Sequence, residues 1–162
     1  GSAQPQCDQH PRSPQSPCRD CYRWAGSGDD VTPRVFPGVE KGVWSWDAEA
    51  GQCYRGMFYR HEPDLELASP AVLKEIDSII LCWLKLGVSG FRLDAASHLT
   101  KQAGRGEEKK GLWTLEHIRQ LIEQPNPAAI LLGEVDVAVE EYKDYFGDHA
   151  RLINVLNVLL NH

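Results

Sequence analysis

Two acidic residues stand in matching surroundings in this sequence. Asp94 follows the short apolar run 88–93, and Glu134 follows the run 129–133, with a helix-periodic segment between the two. This order predicts one β-α-β unit that carries a carboxylate at the carboxyl end of each strand, where parallel-sheet folds build their active sites. A carboxylate beside a buried strand is costly unless it is paired, solvated or used. Two such residues are typical of the acid and the nucleophile of sugar chemistry, whereas the alternative is a pair of solvated strand ends.

The first element that must position these residues is a helix over 69–86. Ser69 suits the N-cap, Pro70 suits the first helical position, and Gly87 supplies the stop. Helical spacing predicts one broad buried face. Its members are Val72, Leu73, Ile76, Ile79, Ile80, Trp83 and Leu84.

The remainder of the carboxyl-terminal half alternates strands and helices. The pattern predicts strands over 88–93 and 129–135, a helix over 112–123 and a short helix near 139–146. Residues 99–111 are rich in glycine and charge and are expected to form a mobile loop. The tail over 152–160 fits either a strand or a helix start. Such alternation favours an α/β fold with a parallel sheet.

The amino-terminal part has a different character. Residues 1–40 hold six of the ten prolines and show no apolar period, so an irregular region is expected. Residues 43–67 are rich in aromatic side chains that alternate with polar ones, which favours short strands. We therefore expect two regions, a loop-rich one over 1–67 and an α/β one over 68–162.

Composition narrows the class of partner and compartment. The 162 residues carry a net charge of −6, and the sequence pI is about 5.5, which argues against nucleic acid and anionic membranes as partners. No apolar run approaches the ~18 residues of a membrane span. A closed eight-stranded α/β barrel needs at least ~200 residues, so this chain cannot form a complete one. The odd set of five cysteines fits a reducing cytoplasm.

The cysteines also raise the question of a metal site. Cys18 and Cys21 form a Cys-x-x-Cys pair, and Cys7, His10 and Cys53 could complete a zinc site. A second pair at matching spacing is missing, so unpaired loop thiols are the simpler interpretation. A zinc-stabilised interaction module built on Cys7, His10, Cys18 and Cys21 stays open as a third functional hypothesis.

Four segments resemble the α-amylase family, glycoside hydrolase family 13, in its order and spacing. Gly90-Phe91-Arg92-Leu93-Asp94-Ala95 with His98 resembles the fourth-strand signature, and Gly133-Glu134-Val135 resembles the fifth. His61-Glu62-Pro63-Asp64-Leu65-Glu66 is similar to the segment that ends the family's domain-B excursion. Segments 7–11 and 16–20 are similar to the stretch after the third strand. Within the family, the sequence is most similar to the trehalose synthase, α-glucosidase and amylosucrase-like branch.

The resemblance implies a segment of a TIM (β/α)8 barrel, about strands four to six, preceded by a loop-rich domain-B-like excursion. It also implies a retaining mechanism on α-glucosidic bonds of maltose, trehalose or α-glucans. Asp94 would be the nucleophile, Glu134 the general acid and base, and Arg92 the group that holds Asp94 ionised. His98, His61 and Asp64 would bind the substrate.

The sequence also departs from the family pattern. Glu62 and Glu66 replace the usual Gln and Asn, and the chain ends before the place of the family's third catalytic Asp. We therefore expect the isolated chain to be impaired. The alternative is a non-catalytic truncated barrel that binds sugar or a protein partner. The resemblance implies no required cofactor, although Asp64 and Asp20 could hold calcium. A homo-oligomer or the remainder of the barrel is the expected partner for the open sheet edges.

Overall fold

The computed structural model describes residues 12, 13, 15–25, 42–103 and 111–156. The chain divides into two compact units, Gly1–Ser69 and Pro70–His162. Among the helices of the described ranges, none has the length and apolar character that crossing a membrane requires.

The amino-terminal unit is built on a small antiparallel sheet. Its strands are β1 (Trp24–Ala25), β2 (Trp44–Asp47) and β3 (Gln52–Arg55), in the order β1-β3-β2. The register places Trp46 opposite Cys53 and Trp24 opposite Tyr54. The short strands expected over 43–67 are confirmed. The irregular region expected over 1–40 lies partly outside the described residues, and its described part contains β1 and a single 3-10 turn, Arg19–Cys21.

The β2–β3 hairpin is closed by the side chain of its own last strand residue. The Asp47 carboxylate accepts hydrogen bonds from the backbone N–H groups of Glu49 and Ala50, at 3.0 and 2.9 Å. This is an Asx-type turn, in which a short acidic side chain replaces a backbone acceptor. Gly51 completes it with a φ of +62°, a backbone region that glycine adopts without a steric penalty.

The carboxyl-terminal unit alternates helices with a three-stranded parallel sheet of order β4-β5-β6. Its elements follow one another as α1 (Pro70–Lys85), β4 (Gly90–Leu93), α2 (Ala96–Ala103), α3 (Trp113–Glu123), β5 (Ile130–Glu134), α4 (Tyr142–Phe146) and β6 (Asn154–Leu156). Short 3-10 turns, Val139–Glu141 and Gly147–His149, flank α4. The predicted helices over 69–86, 112–123 and 139–146 and the predicted strands are confirmed, and the described part of the tail is a strand.

One packed layer of apolar side chains lies between the sheet and the helices. Its members are Ile80, Ala96, Leu112, Leu115, Ile118, Ile122, Ala129, Leu131, Val135, Tyr145 and Leu152. At Gly133 the packing leaves no room for a side chain, because a Cβ atom there would lie 2.5 Å from Leu152 Cδ1 and 3.2 Å from Ala96 Cβ. The glycine before Glu134 therefore lets α2 and the segment before β6 close over the end of β5.

Two expectations are wrong. Residues 99–103 continue a helix, since α2 begins at Ala96, and the glycine- and charge-rich part, 104–110, lies outside the described residues.

Helix α1 buries a narrower face than its periodicity suggests. Ile76, Ile80 and Leu84 belong to the core or pack against it, whereas Ile79 and Trp83 are half exposed, at 49% and 51%. Periodicity identifies apolar positions, but it does not show how much of the helix its neighbours cover.

Truncating the core should destabilise this unit far more than truncating the exposed flank of α1. Ile122 is fully buried, so Ile122→Ala should lower the free energy of unfolding by about 2–5 kcal/mol. The matched variant Ile79→Ala removes the same atoms from a half-exposed site and should cost less than about 0.5 kcal/mol. Urea titration followed by circular dichroism measures both. Equal losses would mean that the packing described for α3 and α1 is wrong.

Candidate active site

The parallel register of β4 and β5 brings Asp94 and Glu134 to one edge of the sheet. Leu93, the last residue of β4, pairs with Gly133, and each acidic residue is the next one along its strand direction. Both carboxylates therefore leave the sheet at its carboxyl edge. The relative position of two side chains on parallel strands depends on the strand register, and four consecutive residue pairs define that register here.

A single guanidinium connects the two carboxylates. Arg92 lies two residues before Asp94, so both side chains project from the same face of the strand. Its Nη1 lies 2.7 Å from Asp94 Oδ1, and its Nη2 forms an ion pair with Glu134 Oε2. A positive group between two carboxylates offsets their mutual repulsion. The three residues therefore form one electrostatic unit.

The two carboxylates of this unit differ in their exposure to solvent. The Asp94 side chain is 79% exposed, whereas the Glu134 side chain is only 26% exposed. A largely exposed carboxylate beside a half-exposed guanidinium can be reached by a solute. Glu134, which lies deeper at the end of β5, is the better shielded of the two. The pair is thus asymmetric, as two groups with different chemical tasks would be.

The backbone after Asp94 is held in an unusual conformation. Ala95 has a φ of +45°, in the left-handed region that residues with a Cβ rarely adopt. Its carbonyl accepts the N–H groups of His98 and Leu99, at 2.9 and 3.1 Å, so the strand turns directly into α2. Backbone strain of this kind persists only where surrounding structure imposes it, and it concentrates at functional sites.

A buried serine ties the two strand ends together. Ser97 is fully buried in the first turn of α2, and its hydroxyl accepts the backbone N–H of Asp136 at 3.2 Å. The turn after β4 is thereby joined to the segment after β5. Sequence reasoning named Ala95 only as part of the fourth-strand segment and did not identify Ser97. The only available signal was the run of small residues, 95–97, directly after the acidic strand end.

The remaining predicted site residues fall in two places. His98 lies half buried in the first turn of α2, four residues after Asp94. His61 and Asp64 belong to the amino-terminal unit. The His61 ring is exposed and stacks on Tyr59, with the ring centroids 5.4 Å apart. Asp64 is buried, and its two oxygens accept hydrogen bonds from Arg55 Nη1 at 2.5 Å and from the Met57 N–H at 3.1 Å.

In the part of the chain that the structure describes, the residues considered as metal ligands do not form a cluster. Within the described ranges, no group of three His, Cys, Asp or Glu side chains is arranged to hold a metal ion. Cys7 and His10 lie outside those ranges, while Cys18 precedes and Cys21 ends the first 3-10 turn, which also contains Asp20.

The family model of the α-amylase catalytic domain matches residues 2–159. The chain therefore belongs to the α-amylase family, a family of glycoside hydrolases and transglycosylases. The trehalose synthase of Thermus thermophilus is 37% identical over 150 residues, which are 86% of this chain and 15% of that protein. The trehalose synthase/amylase of Mycobacterium tuberculosis (strain H37Rv) is 33% identical over 141 residues, or 85% of this chain and 24% of that protein.

Solved structures show the same fold. A trehalulose synthase aligns with a TM-score of 0.74 at 21% identity, over 90% of this chain and 30% of its own. The trehalose-6-phosphate hydrolase of Bacillus licheniformis aligns with a TM-score of 0.72 at 20% identity, over 91% and 29%. The predicted fold class is confirmed: the chain is a segment of a TIM barrel. It spans only about a quarter or less of the length of the two trehalose synthases.

The strain at Ala95 predicts an unusual response to glycine. Ala95→Gly should raise the free energy of unfolding by about 0.5–1 kcal/mol, because relief of the left-handed strain exceeds the added chain entropy of glycine. Ala95→Val should lower it by about 1 kcal/mol or more, since a β-branched residue fits this region worst. Ala138→Gly is the matched control at an ordinary φ of −61° and should cost about 0.4–1 kcal/mol. If both glycine variants lose stability equally in urea titrations, the Ala95 backbone is unstrained.

Proposed function

We propose that this chain carries the nucleophile and the acid/base residue of a retaining hydrolase or transglycosylase that acts on α-glucosidic bonds. The observation that supports it best is the bridge from Arg92 to both Asp94 and Glu134 at the carboxyl edge of two parallel strands. In this family context, a pair of carboxylates around one scissile bond is the machinery that glycoside hydrolysis requires.

The shared guanidinium supports retention rather than inversion. Retaining enzymes hold their carboxyl groups about 5–5.5 Å apart, whereas inverting enzymes leave about 6.5–9.5 Å for a water molecule between them. Asp94 and Glu134 each bind a different terminal nitrogen of the same Arg92 group. Two carboxylates on neighbouring nitrogens are close together, which favours the shorter separation and direct attack by one of them.

In the proposed reaction, an oxygen of Asp94 attacks the anomeric carbon as Glu134 donates its proton to the glycosidic oxygen. The bond to the leaving group breaks, and a β-linked glycosyl ester forms on Asp94. Glu134, now a carboxylate, then takes a proton from water or from an acceptor sugar, whose oxygen displaces Asp94 and restores the α configuration. Arg92 orients Asp94 for the attack through their ion pair and stabilises the carboxylate again as a leaving group.

The other predicted residues receive supporting roles in this proposal. His98, in the first turn of α2, would contact the sugar on the acceptor side. His61 is exposed and can donate a hydrogen bond to a sugar hydroxyl. Asp64 is buried against Arg55 and Met57, so it would act by holding the segment that presents His61.

The substrate proposal follows the relatives. Two of them are trehalose synthases at 37% and 33% identity, so small α-glucosides such as maltose and trehalose are the substrates that we propose. Free thiols at Cys53 and Cys82 are compatible with a reducing compartment. The chain on its own should turn substrate over more slowly than a complete barrel, because a sugar bound at the exposed Asp94 needs further groups to fix it.

Removing either carboxylate should remove most or all of the turnover of α-glucosides by this protein. Glu134→Gln should slow glucose release from maltose by about 10²–10⁴-fold, because the leaving oxygen then departs without a proton. Asp94→Asn should abolish release from maltose and from an aryl α-glucoside alike, since no covalent ester can form. Asp136→Asn is the matched control, because this exposed carboxylate follows β5 but lies outside the proposed pair. Activity that survives Asp94→Asn would exclude Asp94 as the nucleophile.

Azide should separate the two roles. With an aryl α-glucoside and added azide, Glu134→Ala should yield the α-glucosyl azide, because azide attacks the intact glycosyl ester. Asp94→Ala should yield the β-glucosyl azide, since azide then occupies the place of the missing nucleophile. Proton NMR of the anomeric position distinguishes the two products. The reverse assignment of products would exchange the roles of the two residues.

A further inference from the structure

The amino-terminal unit has an open cleft that contains neither Asp94 nor Glu134. Two adjoining cavities of about 440 and 800 Å³ lie against the β2–β3 hairpin. Together they define what we call the hairpin cleft. The residues that line both cavities are Arg12, Asp47, Tyr54, Arg60 and His61. Cavities of a few hundred Å³ are the usual size of small-molecule sites.

Aromatic side chains supply the apolar surface of this cleft. Tyr22 and Trp24 line one cavity, and Trp46 lines the other. Trp24 packs edge-on against Tyr54 at 6.3 Å, and the Arg19 guanidinium lies 4.3 Å above the Trp24 ring, so these rings are held in place. Trp46 is 58% exposed, although a tryptophan side chain gains more from burial than most others. Its ring is therefore available to a ligand.

The polar groups of the cleft are balanced in charge. Arg12 forms ion pairs with Asp47 and Glu49, each at 3.0 Å. The hydrogen bond that Arg12 donates to Glu49, followed by the charge of Asp47, raises the pKa of Arg12. Arg60 lines both cavities and forms no ion pair with any residue in the described ranges, and its carbonyl accepts the Tyr54 hydroxyl at 2.7 Å. The cleft thus holds two arginines, Arg12 and Arg60, and two carboxylates, those of Asp47 and Glu49. The Arg60 guanidinium can still donate hydrogen bonds to a neutral ligand oxygen.

This combination defines the ligand chemistry. An anion would meet Asp47 and Glu49, and a purely apolar ligand would leave charged groups desolvated without partners. A pyranose ring satisfies both surfaces, because its C–H faces pack on an aromatic ring while its hydroxyls both donate and accept hydrogen bonds. The geometry points to the hairpin cleft as a binding site for a neutral oligosaccharide, with one sugar ring on Trp46 and hydroxyls on Arg60 and His61.

The identity of that sugar as an α-glucoside rests on the proposed function, whereas the site itself does not. A short α-glucan such as maltotriose is the natural probe. The binding surface is open and its polar groups are already partly paired, so a dissociation constant in the millimolar range is expected, or roughly −4 kcal/mol.

Fluorine NMR of the chain labelled with 5-fluorotryptophan tests this site directly. The chain has five tryptophans, and Trp46→Phe assigns the resonance of interest. Maltotriose should shift the Trp46 signal in a saturable manner and leave Trp83 unmoved, although Trp83 is comparably exposed at 51%. Arg60→Ala should weaken this binding by about fivefold or more, since one hydrogen bond to a charged group is lost. Unmoved resonances of the other tryptophans confirm that each variant is folded.

The two proposals fail separately. Asp94→Asn and Glu134→Gln should leave the Trp46 titration unchanged, because neither residue lines the hairpin cleft. A Trp46 signal that does not move with maltotriose would overturn the sugar site and leave the reaction proposal intact. An equal shift on titration with inorganic phosphate would also overturn it, since the cleft would then be an anion site.

Discussion

The parallel pairing of β4 with β5 is the constraint on which the candidate site depends. Pairing of Leu93 with Gly133 places Asp94 and Glu134 at the same height, and a slip by one residue would turn one of them to the opposite face of the sheet. Arg92 then binds both carboxylates from the same strand face as Asp94. Because two carboxylates at close range repel each other, the guanidinium between them offsets part of that repulsion. The site is thus an electrostatic triad that the backbone register assembles.

The packing behind this edge fixes the register. A Cβ atom at Gly133 would lie 2.5 Å from the Leu152 side chain and 3.2 Å from Ala96 Cβ, so a glycine there lets the end of β5 lie directly against α2 and the segment before β6. Ser97 bonds to the Asp136 N–H and joins the turn after β4 to the segment after β5. Ala95 accepts a strained φ between the nucleophile candidate and α2. Small residues therefore surround the charged ones, because only small residues let strand ends and helix starts approach this closely.

The sequence predicted the fold and the position of the two acidic residues at neighbouring strand ends. The reason is that local patterns agree with the tertiary contacts. These patterns are the apolar runs of strand length before Asp94 and Glu134 and the capping signals of the helix that begins at Pro70. What sequence could not predict depends on contacts between distant residues. The neighbours that each element meets decide three such features: the burial of Ser97, the strain at Ala95, and the exposure of Ile79 and Trp83. The bridge from Arg92 to Glu134 spans 42 positions, and only the sheet register reveals it.

The claim that Asp94 becomes covalently glycosylated is tested most directly by trapping. Incubation of the protein with 5-fluoro-α-glucosyl fluoride should leave a fluoroglucosyl ester, because the ring fluorine slows both steps while the fluoride leaving group keeps the first step fast. Peptide mass spectrometry should locate this ester on Asp94, and the label should be absent from Asp94→Asn but present in the Asp136→Asn control. A label on another residue, or an initial product of inverted anomeric configuration, would contradict the account.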